Sequence, residues 1–201
     1  SNRPYSKWKD LGFFLRQSYF LGRIDTVSGN GPDAEIHPTN VVAHNSSIRQ
    51  QKFIFFKNQS DLYNAFPYNN LIRVDDTTKI TTITNDFSYS FYLRGKSLKN
   101  EAKVELGFQN DLIWYADSVL SKFYQNSMVK GSIGYKFSNR IDVNFSANQI
   151  VVGRNMGDFL YEAYADVRLS DLFGKLRIGA YSQNKSPEMI FENANLAYHS
   201  W

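Results

Sequence analysis

The sequence has no cysteine among its 201 residues, which excludes a disulfide-bonded scaffold and a metal site built from thiolates. It also has no apolar run approaching the roughly 18 residues that a membrane-spanning helix needs, and its mean hydropathy is −0.44. The net charge is only +4, and lysines and arginines are scattered, so no nucleic-acid partner is predicted. No secretory leader begins the chain, so we expect any signal peptide to have been removed.

Aromatic residues, by contrast, are abundant in the sequence. The chain has 16 Phe and 13 Tyr, and aromatic residues make up 16% of it, yet only 42% of all residues are apolar. Such a mixture suits a β-sheet that is wet on one face and apolar on the other.

One stretch shows this pattern most clearly. From Ile141 to Asn148 every odd position is apolar and every even one is polar, and the alternation resumes from Tyr161 to Leu169. A period of two predicts β-strands. The apolar face is continuous while the other face carries acids and bases, so either a second protein layer or lipid must cover the apolar face.

The same alternation recurs along the chain. It predicts an all-β fold, an antiparallel up-and-down meander of about nine long strands that forms a transmembrane β-barrel or a partial barrel cut from a larger one. Residues 1–201 are predicted to form a single domain. The predicted strands lie near residues 11–25, 41–57, 77–94, 103–115, 123–137, 141–148, 161–169, 175–183 and 189–201.

Two regularities favour the membrane barrel, besides strands that reach the roughly 9–11 residues needed to cross a bilayer. Tight and longer connections are predicted to alternate, as in outer-membrane barrels, and aromatic residues gather near the longer ones. The tight connections lie near residues 95–100, 138–140 and 171–174, and the longer ones near 58–76, 116–122 and 153–158. The aromatic residues are Phe53, Phe55, Phe56, Trp114, Tyr115, Phe123, Tyr124, Phe159 and Tyr161. Soluble sandwiches and lipocalin-like barrels share much of this pattern and stay open as alternatives.

A family resemblance supports the membrane reading. The segment from Phe14 to Val27, FLRQSYFLGRIDTV, resembles a segment of the β-barrel porins of Bacteroidetes outer membranes. Pro38 and His44 follow it where that family has a proline and a histidine, and the stretch from Asn195 to Trp201 is similar to a family strand that ends in tryptophan.

The resemblance implies a bacterial outer-membrane barrel for the passive passage of small solutes, with lipid and solutes as its partners. Members of the family are several times longer than nine strands, and bacterial barrels have even strand numbers. We therefore expect a fragment of a longer barrel, cut near Trp201. The oligomeric state is left open.

No motif predicts catalysis or a cofactor. The three histidines, His37, His44 and His199, are far apart in sequence, and neither a nucleophile elbow nor a zinc-protease motif is present. The loop with Asp75 and Asp76, together with Asn69 and Asn70, could offer oxygen ligands to calcium, although a solvated acidic loop is the simpler interpretation. We expect no enzymatic activity.

The candidate site consists of charged residues on the polar faces of the predicted strands. If that face lines a wet lumen, mixed acids and bases bias the passage of ions. The simpler role is cross-strand ion pairing, worth about 0.2–1 kcal/mol per pair, and both roles can coexist. The candidates are Lys103, Glu105, Asp111, Lys130, Lys136, Asp142, Glu162, Asp166, Arg168 and Arg177.

Two functions of different classes follow. The first is a porin-like diffusion channel. The second is a soluble or lipoprotein-tethered β-sandwich or barrel that binds glycans or proteins through loop aromatics such as Tyr63 and Tyr68. A second layer over Val143 and Phe145 would favour the second function.

Overall fold

The fold was analysed in a computed structural model, which describes residues 5–27, 35–57, 74–94, 101–138, 140–170, 174–187, 195–196 and 199–200. Eight long strands account for nearly all of these residues. They are β1 (Tyr5–Val27), β2 (Glu35–Lys57), β3 (Val74–Arg94), β4 (Glu101–Ala116), β5 (Ser121–Ser138), β6 (Ile141–Gly153), β7 (Phe159–Ser170) and β8 (Gly174–Asn184).

The eight strands form one sheet in sequence order, each antiparallel to the next. β1 pairs with β2 and β8 pairs with β7, and these two outer strands do not pair with each other, so the sheet is open. The predicted all-β, up-and-down meander is thereby confirmed in the form of a partial barrel. Among the described residues, no helix is long and apolar enough to cross a membrane.

Strand length changes along the sheet. β1 and β2 each have 23 residues and β3 has 21, whereas β8 has 11. At roughly 3.4 Å per residue, even the shortest reaches the length that a tilted strand needs to cross a bilayer. β1, β2 and β3 are longer than this length. They extend past the end of β4 on the side of the sheet where β2 ends and β3 begins.

One bulge of the sheet depends on glycine. The β5–β6 register shifts between Ser127 and Met128, opposite the end of β6 at Gly153. Gly153 has a φ of 121°, and a Cβ there would lie 2.0 Å from the Gln125 carbonyl oxygen. A larger residue would push the two strands apart, so glycine lets the chain leave the sheet at this point.

The apolar side chains of this sheet are its exposed ones. On β4, Leu106 is 63% and Phe108 45% exposed, whereas Glu105 and Gln109, which flank them in sequence, are half-buried. A soluble protein shows the opposite arrangement. The buried apolar residues in the described part of the chain are Ala43, Ile113 and Tyr115.

The two faces of the sheet are therefore chemically distinct. The face that carries Leu106, Phe108 and their cross-strand neighbours is called the outward face, and the opposite one the polar face. Val143, Phe145 and Leu169 on the outward face are each more than a third exposed. Neither a helix nor a second sheet covers them in the residues that the structure describes.

Two details of the predicted meander were wrong. Instead of one long ninth strand, β9 (Asn195–Leu196) and β10 (His199–Ser200) pair with each other as a separate two-residue ladder, and the other residues of 189–201 lie outside the described part. The predicted alternation of loop lengths also fails at one connection, the one between β4 and β5. Four residues separate β4 from β5, because both strands extend further than their alternation indicates, whereas six residues separate β3 from β4.

Candidate functional site

All ten charged residues predicted as the candidate site lie on one face of the sheet. Residues directly opposite each other in an antiparallel pair project to the same side, and side chains alternate along each strand. Applied to the register from β4 to β8, this rule places the ten residues together on the polar face.

The first group of these residues joins β3 and β4. Lys103 Nζ lies 2.6 Å from Glu105 Oε2, and the Ser90 hydroxyl donates a hydrogen bond of 2.7 Å to the same carboxylate oxygen. The ammonium of Lys103 also lies 5.7 Å from the centre of the Tyr92 ring. Glu105 therefore accepts from two strands at once and holds their register.

The second group spans three strands. Lys130 Nζ on β5 lies 2.6 Å from Asp86 Oδ1 on β3, across the intervening strand β4. The residue of β4 between them is Gly107, where a Cβ would lie 3.2 Å from both Lys130 Cε and the Phe87 carbonyl oxygen. The missing side chain thus provides the space through which Lys130 reaches Asp86.

Asp111 sits one step further along the polar face. Its Oδ1 accepts a hydrogen bond of 2.7 Å from the Thr84 hydroxyl on β3, and Gln109 Nε2 donates to both of its oxygens at 3.0 and 3.1 Å. Gln109 Oε1 in turn lies 3.4 Å from Lys130 Nζ. The amide of Gln109 therefore links Asp111 to the second group.

The third group is at the other end of the sheet. Arg177 contacts Asp166 through two parallel hydrogen bonds of 2.7 and 2.8 Å, and Lys175 Nζ lies 2.9 Å from the same carboxylate. The guanidinium of Arg177 also stacks over the Tyr164 ring at 4.5 Å. Asp166 is buried, so a single acid between two cations orders the β7–β8 pair.

The register also aligns a row of charges, which includes Asp166 and Arg177 of the third group, across six strands near the short turns. Each residue of this charged row stands directly opposite the next, and the charges run plus, minus, plus, minus, minus, plus. Arg94 Nε and Glu101 Oε2 at one end are 2.5 Å apart. The row consists of Arg94, Glu101, Lys136, Asp142, Asp166 and Arg177.

The two remaining candidates have weaker contacts. The Ser146 hydroxyl lies 3.4 Å from Glu162 Oε2, and Glu162 is itself exposed. Arg168 stands opposite Lys175, and its backbone N–H donates to the Arg140 carbonyl at 2.7 Å. Glu162 also lines, with Lys103, Lys130 and Asn144, a depression of about 480 Å³ in the polar face.

The connection between β6 and β7 (residues 154–158), called the inward loop, folds over the polar face, which the sequence did not predict. The backbone N–H of Asn155 donates to Asn126 Oδ1 at 3.0 Å, and Arg154 stacks over the Tyr124 ring at 5.0 Å. Together with residues 185–187 this loop borders a second depression of about 320 Å³ next to Asp111. The loop therefore narrows the space over the polar face.

Asp158 fixes that loop. Burial raises the pKa of its carboxyl, but hydrogen bonds from the Ser186 N–H (2.9 Å), the Ser186 hydroxyl (2.8 Å) and Asn155 Nδ2 (3.3 Å) outweigh burial and hold the pKa below its ordinary value. The ionised carboxylate is therefore the form that ties the loop to the segment after β8.

Among the described residues, no group of three or more potential ligands is arranged to hold a metal ion. Asp76 Oδ1 lies 3.4 Å from the Ser118 hydroxyl, and Asn69 and Asn70, the other candidates for a calcium site, lie outside the described residues. Tyr63 and Tyr68 lie outside them as well.

Sequence reasoning missed Asp86, Arg94 and Glu101 as members of the site. Asp86 and Arg94 lie on the polar side of a strand that the alternation does predict, yet alternation says nothing about which residue a neighbouring strand brings opposite. The alternation within β3 is therefore enough to predict the face on which Asp86 and Arg94 lie, but not the residues with which they pair.

An open, antiparallel meander with apolar side chains outward and charged side chains on its other face belongs to the class of porin-like β-sheets. Comparison with family models identifies the family. The chain matches the family described as "Putative porin" over residues 2–201, and it belongs to that family. The resemblance noted in the sequence is thereby confirmed, and neither the curated proteins nor the solved structures contain a significant match.

Proposed function

We propose that the chain is part of an outer-membrane β-barrel channel through which small solutes diffuse passively. The observation that carries this proposal is the inverted burial of β4 and β5, with exposed apolar side chains on one face and half-buried charged ones on the other. Membership of the porin family supports the same conclusion.

Lipid accounts for the outward face. Removing apolar surface from water is worth about 25 cal/mol per Å², so side chains such as Leu106, Ile133 and Ile178, each at least 57% exposed, strongly favour an apolar environment. A bilayer supplies it without a second protein layer. Each described strand from β1 to β8 is long enough to cross the hydrocarbon region.

The polar face then forms the wall of the lumen. Its acids and bases are close enough to pair, so they hold the register of the strands and also set an electric field across the pore. The loop that carries Arg154 and Asn155 lies over this face and would narrow the passage. We propose a diffusion channel without catalysis, cofactor or nucleic-acid partner.

The test is the conductance of the full-length protein in planar lipid bilayers. Discrete conductance steps are expected, and a properly folded protein that never conducts would contradict the transport function. Lys136→Gln, on the charged row, should shift the reversal potential in a salt gradient toward cation selectivity. Lys7→Gln removes the same charge from the outward face of β1 and should leave the reversal potential unchanged.

Solubility separates this proposal from the soluble sandwich. A barrel with this outward face aggregates until detergent is added, whereas a sandwich stays monodisperse in buffer. Monodisperse, folded protein without detergent would therefore contradict the membrane assignment.

A further inference from the structure

We propose that three lysines on the outward face, Lys9, Lys52 and Lys79, form a binding site for the phosphate of a lipid headgroup in the surrounding membrane. The proposal rests on the assignment of the outward face to lipid. It adds a specific lipid partner that the function as a channel does not require.

The three residues form a lysine row across three adjacent strands. Lys9 on β1 stands directly opposite Lys52 on β2, and Lys52 directly opposite Lys79 on β3. Cβ atoms at directly opposite positions are about 4.5–5.5 Å apart. Lys79 stands opposite Ala116 on β4, two residues beyond the exposed Trp114, which places the row on the outward face.

Like charges in this arrangement repel each other, and no residue in the described part of the chain compensates them. No carboxylate of the described residues lies within ion-pair distance of Lys9, Lys52 or Lys79. The nearest acid along β3 on this face is Asp75, four residues from Lys79. Three aligned ammonium groups, without a carboxylate among the described residues, would therefore be stabilised by an anion of the surrounding membrane.

Three lysines of the polar face show the contrast. Lys103, Lys130 and Lys175 each have a carboxylate oxygen within 3 Å. The described part of the chain thus pairs these lysines on the face assigned to the lumen and supplies no carboxylate to the three aligned lysines on the face assigned to lipid. Charge complementarity points to an anionic component of the membrane itself.

The position of the lysine row along the strands indicates its depth in the membrane. Trp114 and Phe123, whose ring centres are 5.2 Å apart, occupy the adjacent row of the outward face, one step toward the middle of the sheet. Aromatic side chains of this kind sit at the level of the lipid headgroups. The lysine row therefore lies at the level of the phosphates, where each basic residue adds to the attraction of anionic lipid.

The experiment measures lipid binding of the full-length protein, delipidated in a neutral detergent, by native mass spectrometry with phosphatidylglycerol as the probe. The triple variant K9Q/K52Q/K79Q should bind it at least about tenfold more weakly than the unmodified protein. A matched triple variant on the polar face, K103Q/K130Q/K136Q, loses the same charge and should bind as the unmodified protein does. Equal binding by both triple variants would overturn the proposal.

Two further measurements separate charge from fold and bound lipid from a free anion. The conservative variant K9R/K52R/K79R keeps the charges and should retain binding, whereas a loss of binding in this variant would overturn the role of charge. Inorganic phosphate should compete weakly, and full displacement of the lipid at equal concentration would show a free-anion site and overturn the lipid assignment. Insertion into phosphatidylcholine vesicles tests the outward face separately, because that lipid has no net charge.

Discussion

The two faces of β4 to β8 have nearly opposite chemistry although they share one backbone. On the outward face Leu106, Ile133 and Phe145 stand exposed, and no described residue packs over them as a core. On the polar face Glu105, Lys130 and Asp166 are partly or fully buried among their partners. Specific cross-strand contacts are thus concentrated on the face that carries the charge, whereas the outward face contributes exposed apolar surface.

This difference indicates how the sheet is stabilised. Surface ion pairs in water are worth little, about 0–1 kcal/mol each, so the polar face alone determines register more than stability. The larger contribution must come from removing the outward face from water. The comparison predicts that substitutions on the two faces will differ in size and in the property they change.

The largest expected effect is that of a charge on the outward face. Phe145→Arg should lower the free energy of unfolding in lipid vesicles by about 2–4 kcal/mol, because the arginine would lie in hydrocarbon. Ser146→Arg, one residue along on the polar face and opposite Glu162, should change it by less than about 0.5 kcal/mol. Denaturant titration of the full-length protein in vesicles measures both. Equal losses would show that the faces are not distinguished by lipid.

Two glycines, one on each face, test the same comparison with smaller expected changes in the free energy of unfolding. Gly107→Ala on the polar face brings a Cβ within 3.2 Å of Lys130 Cε and the Phe87 carbonyl, so it should disturb the Lys130–Asp86 pair and lower the free energy of unfolding by about 0.5 kcal/mol. Gly131→Ala on the outward face meets nothing closer than 3.9 Å and should raise it by a similar amount, about 0.5 kcal/mol.

A control variant isolates the ion pair in this experiment. In a Lys130→Gln background the pair is already absent, so the cost of Gly107→Ala should shrink toward the contact with the backbone carbonyl alone. If the cost is the same in both backgrounds, Gly107 acts through the backbone and not by making room for Lys130.

The sequence predicts the faces of this molecule well because a face depends only on alternation within one strand. The ten candidate residues could therefore be placed on one face from the sequence, and the bounds of β4 and β5 to within two residues. A period of two survives substitutions at single positions and requires no knowledge of the neighbouring strand.

Register is different, because it depends on where each turn ends and on single glycines. The reach of Lys130 across Gly107 to Asp86 joins residues 44 positions apart, and the lysine row joins three strands, so neither is visible without the pairing. The inward loop was missed for the same reason, since Asp158 and Ser186 belong to separate connections. The ninth strand was wrong because composition alone could not tell whether residues 189–201 pair with β8.

The inward loop gives a local prediction with a pH dependence. The native pKa of Asp158 is lower than its value in the unfolded chain, so the carboxylate contributes stability above about pH 4, and this contribution is lost as the pH falls through the lower native value. Protection of the backbone amides of residues 154–158 from hydrogen exchange should decrease on acidification from pH 7 to 3. Asp158→Asn should already lack this protection at pH 7.

The rest of the sheet is the internal control for that measurement. Amides in the middle of β5 and β6 should keep their protection over the same pH range, because their backbone hydrogen bonds do not involve the Asp158 carboxylate. A uniform loss of protection in both regions would show that acid acts on the whole sheet and that Asp158 is not the cause.

The smallest perturbation uses tryptophan fluorescence and leaves stability unchanged. Trp114 on the outward face and Trp8 on the polar face are 41% and 49% exposed, so exposure alone does not separate them. With Trp201 replaced by phenylalanine, lipids brominated at the headgroup end of their acyl chains should strongly quench the fluorescence of a protein that retains Trp114 but only weakly that of a protein that retains Trp8. Water-soluble acrylamide should show the opposite order, since each quencher reaches one face. Equal quenching of both residues by the brominated lipid would mean that the bilayer does not distinguish the faces, and the assignment of lipid to the outward face would then be wrong.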